Sequence, residues 1–117
     1  MARYISFDFM LKDSIATRVN IEDDGKVSIE NFTDDIYSRA FGVKTDITIE
    51  DVKHLFSTRV MPRTRANCKE VLKRIGVPFY DEYLICRKTN GATTDDYNWI
   101  RFDDRKNLTW NDVKFRD

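Results

Sequence analysis

The sequence predicts an α+β domain: an N-terminal three-stranded antiparallel meander packed with two to three helices and a further C-terminal strand. Three observations carry this. Apolar residues alternate with period two over roughly residues 3–31, recur at three-and-four spacing from Ile49 to Ile75, and alternate again from Tyr97 to Phe102. With 117 residues, 41% of them hydrophobic and 13% aromatic, the chain has the size and apolar content of a single domain, residues 1–117, built on one core.

Each element follows from its own local chemistry. Ile5, Phe7, Phe9 and Leu11 alternate with Tyr4, Ser6, Asp8 and Met10, the pattern of a half-buried strand. Lys12-Asp13 turns the chain. Ile15, Thr17, Val19 and Ile21 then alternate with Ala16, Arg18 and Asn20. Asp23-Asp24-Gly25 is a hairpin signal, because glycine takes the positive φ of a tight turn. Val27 and Ile29 continue into a third strand. Residues 32–47 are ambiguous, with a helical turn expected around Asp34–Arg39 and a break at Gly42.

After that the period changes. Thr48 and Asp51 are spaced as a capping box, and Ile49, Val52, Leu55 and Phe56 recur at helical spacing up to Arg59, before Pro62. Cys68, Val71, Leu72 and Ile75 form one apolar stripe of a second helix, stopped by Gly76 and Pro78. A third helix starts at Asp81, buries Leu84, Ile85 and Cys86, and stops at Asn90-Gly91. Tyr97–Phe102 is a strand, and Thr109 caps a last helical turn.

The twenty basic and twenty acidic residues cancel, which removes the simplest signature of a nucleic-acid-binding domain. Their distribution is uneven. Residues 59–90 hold eight Lys/Arg against three Asp/Glu, between flanks where acids outnumber bases. Cys68 and Cys86 sit in apolar stripes, outside any C-x-x-C pair, and read as buried reduced thiols. No stretch approaches the roughly 20 apolar residues that span a membrane, and no apolar leader follows Met1, so the cytoplasm is the expected compartment.

Candidates for catalysis are thin. His54 is the single histidine, on the first helix. Asp95-Asp96 and Asp103-Asp104 are paired carboxylates, but neighbours on a strand point to opposite faces, so solvated turn acids are the simpler reading. No phosphate-cradling or nucleophile-elbow motif is present. No catalytic residue, metal site or cofactor is therefore assigned.

The basic cluster carries more. Arg65, Lys69 and Lys73 are spaced by four and form one ridge away from the apolar stripe, with Arg59 and Arg63 just before it. Arginine suits bidentate contact with carboxylate or phosphate. A protein partner is preferred to nucleic acid, because net charge is zero and a proline interrupts the helix–helix link. A solvated ridge neutralised by Glu70 and the acidic flanks is the alternative. Trp110, beside Arg105 and Lys106 in an aromatic-rich segment with Tyr97, Trp99, Phe102 and Phe115, joins the candidate partner-binding set.

From about residue 53 to 115 the chain resembles the small N-terminal region that precedes the kinase body in HipA-like serine/threonine kinases. The matching positions are Phe56, Arg59, Pro62, Arg65, Leu72, Gly76, Gly91, Asp96-x-x-Trp99-Ile100 and Leu108-x-Trp110-x-x-Val113. The resemblance implies a small sheet flanked by helices. It also implies that ATP-binding and catalytic residues belong to a downstream kinase body that this chain would lack. A free-standing version resembles the antitoxin-like proteins of split HipA-type systems, which bind a separate kinase chain.

Two alternatives are carried beside it. One is a phage or mobile-element inhibitor of a host defence complex, anti-CRISPR-like, using Asp23, Asp24, Glu30, Asp34 and Asp35 as a phosphate mimic. The other is a small metal-dependent enzyme using Asp95, Asp96 and His54.

Overall fold

In the computed structural model, which describes residues 4–93 and 96–114, strands β1 (Phe7–Leu11), β2 (Ser14–Ile21) and β3 (Val27–Asn31) run as an antiparallel meander. Strand β4 (Asn98–Phe102) pairs antiparallel with β1, giving the order β3-β2-β1-β4. The α+β class and its C-terminal strand are as the periodicity predicts. At the β2–β3 turn Gly25 has φ +89°, and its amide donates to the Glu22 carbonyl at 2.8 Å. A side chain there would strain the backbone.

Strand β1 departs from the half-buried expectation. Phe7 and Phe9 face one layer, while Asp8 and Met10 on the other side are also buried. The reason is its central position. Helix α4 (Trp110–Val113), capped by Thr109 and Asp112, adds Trp110 and Val113 to a second apolar cluster with Met10 and Trp99. The register also shifts between Phe9 and Met10: Phe9 faces Thr17, but Met10 faces Ile15. This irregularity sends Ile15 to the second cluster while Val19 stays in the main core. Simple alternation through Ile15, Thr17, Val19 and Ile21 does not reveal it.

The main core lies between the sheet and two helices. Helix α1 (Ile49–Thr58) has the capping box expected of Thr48 and Asp51, and buries Val52, Leu55 and Phe56, each worth about 1.5–3 kcal/mol. Helix α3 (Glu82–Thr89) starts where the Asp81 carboxylate accepts the Leu84 amide, and packs on α1. It buries Tyr83, Ile85 and Cys86, whereas Leu84 is only partly covered. Edge-on aromatic contacts run from Tyr4 to Tyr83 (4.7 Å) and from Tyr83 to Phe102 (5.9 Å).

No helix forms around Asp34–Arg39. The Asp35 carboxylate accepts from the Tyr37 amide and the Ser38 hydroxyl, a local bonding pattern that competes with a helical turn. The segment is tied to the sheet instead, the Ala40 amide donating to Thr17 Oγ1 at 3.1 Å.

Candidate functional site

Helix α2 (Cys68–Ile75) buries fully only Cys68 and Leu72, which join Val77 and Ile85 in a small cluster of their own. It packs chiefly on α3. Gly76 ends it in the left-handed conformation, φ +80°. A short helix attached along one narrow stripe leaves the rest of its circumference outside, and that is where the basic residues stand.

Arg63, Arg65, Lys69 and Lys73 are all exposed. Lys69 and Lys73 lie on the helix, whereas Arg65 sits in the preceding turn, its amide bonded to the Pro62 carbonyl. The four-residue ridge is thus half helix and half turn. Among the described residues none of these four cations makes an ion pair, and the same holds for the exposed Arg74 and Lys88 nearby. Elsewhere the pattern differs: Arg18, Arg39, Lys44, Lys53, Arg87 and Arg101 each meet a carboxylate.

Two candidate partner-binding residues must be withdrawn from that surface. Arg59 is 7% exposed. Its guanidinium forks onto Asp96 with two bonds of 2.8 Å, and donates further to the carbonyls of Gly91 (2.8 Å) and Asn98 (2.7 Å). Every one of those donations is internal, so Arg59 clamps the end of α1 to the start of β4. Burial alone would raise the Asp96 carboxyl, but the Arg59 bonds and charge outweigh it and hold the group below its ordinary range. Trp110 is 6% exposed, its ring edge-on to Tyr97 and its amide bonded to the Asp13 carboxylate at 2.9 Å. It ties α4 to the β1–β2 turn.

Residues that spacing did not single out complete the α2 face. Past Gly76 the chain turns back along the helix, and Val77, Phe79 and Tyr80 line an open groove of about 710 Å³ with Leu72, Lys69 and Lys73. Phe79 is 58% exposed, a large apolar side chain left in solvent at the groove wall. The Arg63 guanidinium lies 5.0 Å from the Tyr80 ring centre, and the Tyr80 hydroxyl donates to the Met61 carbonyl at 2.8 Å. These contacts hold Arg63 at one end of the groove. Pro78-Phe79-Tyr80, directly after a helix stop, was the available signal: aromatic residues in a turn need a surface to sit against.

The remaining candidates disperse. His54 is exposed on α1. Asp96 is engaged by Arg59, and Asp95 lies outside the described residues, as does Phe115. Asp103 and Asp104 point to different partners, Arg18 and Arg87, whose bonds hold both carboxyls below the ordinary range. Among the described residues no three His, Cys, Asp or Glu side chains gather as a metal would need. Asp23, Asp24, Glu30, Asp34 and Asp35 are exposed, but Asp24 and Asp35 cap their own turns and Asp34 lies 3.9 Å from Arg39. Burial pushes the Cys86 thiol up to about 12, so it is inert as a nucleophile. No described helix is long and apolar enough to cross a membrane.

The chain matches no family model, no curated protein and no solved structure. Most positions that carry the HipA-like resemblance are interior here: Phe56, Arg59, Leu72, Gly91, Trp99, Ile100, Trp110 and Val113 are all buried. They specify packing, and among the ridge residues only Arg65 is shared with them.

Proposed function

We propose that this chain is a non-enzymatic protein-binding module whose α2 face takes an acidic or phosphorylated segment of a partner protein. The observation that carries the reading is the concentration of unpaired cations at α2, in a chain whose other cations are largely matched to carboxylates. Charges left unmatched beside an open apolar groove are arranged for an external counter-charge, with Phe79 and Leu72 offering contact to an apolar side chain between the anions. Nucleic acid fits less well, because the whole chain has no net positive charge. The HipA-like resemblance suggests the partner's class, a kinase chain that this module would regulate in the manner of an antitoxin.

Affinity capture from the native cells tests this. The wild-type chain is expected to retain a protein partner after nuclease treatment, and Arg65→Glu with Lys69→Glu is expected to release it. Retention of the same partner by the double variant would refute the reading.

A further inference from the structure

We infer that the chain forms a two-fold dimer through the open edge of β3, extending the sheet continuously across two copies. The inference is independent of the α2 face. In the β2–β3 ladder the Glu22 amide donates to the Lys26 carbonyl and the Phe32 amide to the Ala16 carbonyl. Together with the register Ile21↔Val27 through Thr17↔Asn31, these bonds point the backbones of residues 26, 28, 30 and 32 toward β2. The amides and carbonyls of Val27, Ile29 and Asn31 therefore point away from the sheet. Among the described residues they meet no partner. Such a row is a template for another strand.

The side chains select the occupant. Two antiparallel copies of this strand can exchange bonds in three central registers, set by which residue lies on the two-fold axis. An axis at Glu30 places two carboxylates face to face, and an axis at Ile29 leaves Lys26 opposite Phe32. An axis at Ser28 bonds Val27 to Ile29 of the second copy and places Lys26 directly opposite its Glu30, twice by symmetry. Lys26 and Glu30 are both exposed and neither makes an ion pair among the described residues. Directly opposed unlike charges favour an antiparallel pair and like charges disfavour it. The strand is thus complementary to itself in one register, as a closed two-fold interface requires. Directly after β3 come Phe32, Ile36, Tyr37 and Val43, four of the six exposed large apolar side chains among the described residues, with Tyr37 92% exposed. They supply apolar surface beside a pairing that is short on its own account.

Sedimentation equilibrium over a concentration series, with thermal melting as the check on folding, tests the proposal. The wild type is expected to pass from monomer to dimer as concentration rises. Lys26→Glu and Glu30→Lys, each alone, are expected to weaken the dimer about tenfold or more by opposing like charges. The double exchange K26E/E30K is expected to restore it. A monomer at every concentration overturns the proposal. So does a dimer indifferent to the single reversals, or one that the double exchange fails to restore while the chain stays folded.

Discussion

Arg59 illustrates how a residue's chemistry and its place in the chain can point in opposite directions. Among basic neighbours it read as part of a recognition ridge, yet it is buried and bonded to Asp96, 37 positions later. Nothing local to residue 59 announces that partner. Asp8 is the converse case. It alternates as a strand residue should, and pairing β1 with β2 places it opposite Arg18, which bonds it at 3.4 Å, with Arg101 at 3.0 Å on the other side. Reading the hairpin as a register, rather than as separate strands, would have found that pair. Removing Arg59 leaves two carbonyls without their donor and a carboxylate without its counter-ion. We expect Arg59→Ala to cost about 3 kcal/mol or more in urea denaturation. Arg59→Lys should recover little of that loss, because one ammonium cannot reproduce a planar fork and two further donations. A near-neutral Arg59→Ala would mean that the clamp is dispensable.

Elements with a strong period were legible, and those built by local side-chain bonding were not. The caps at Thr48 and Asp81 and the stops at Gly76 and Asn90-Gly91 all stand where spacing places them. The segment 32–47 was opaque because Asp35 and Thr17 fix it through particular hydrogen bonds rather than a repeat. For α2 the apolar stripe was visible, but the groove beside it depends on how the chain turns back after Gly76. The two faces of that helix should separate cleanly by mutation. Leu72→Ala is expected to destabilise the fold by about 2–3 kcal/mol, through lost burial and a residual void. Lys69→Glu and Phe79→Ala should stay within about 0.5 kcal/mol of wild type, since neither side chain is buried. Calorimetric melting of the three variants checks this, and a large loss from Lys69→Glu would place that residue in the fold rather than at its surface.

At the scale of the whole molecule, most described cations away from α2 meet a carboxylate, while the exposed cations around α2 do not. The carboxyls of Asp96, Asp103 and Asp104 are held below their ordinary range in the folded chain, all three by arginine once the desolvation at Asp96 is overcome. A depressed folded pKa means that the unfolded chain binds protons more readily on acidification. Their stabilisation is therefore complete above about pH 5 and lost as the pH falls through about 4 and below. Melting temperature should be level from neutral pH to about 5 and then drop, and a drop already between pH 7 and 6 would contradict this. Fold class was legible because it rests on periods and turns. Function was not, because the proposed recognition surface has meaning only against a partner that lies outside the chain. The most direct measurement is quantitative capture with three baits in parallel: the wild type, a bait reversed at Arg63, Arg65, Lys69 and Lys73, and a control reversed at the exposed turn acids Glu22 and Asp23. A protein partner held by the wild type and the control but lost from the ridge variant is the predicted result. A partner that survives ridge reversal, or departs only when the acidic turn is reversed, would place recognition away from α2.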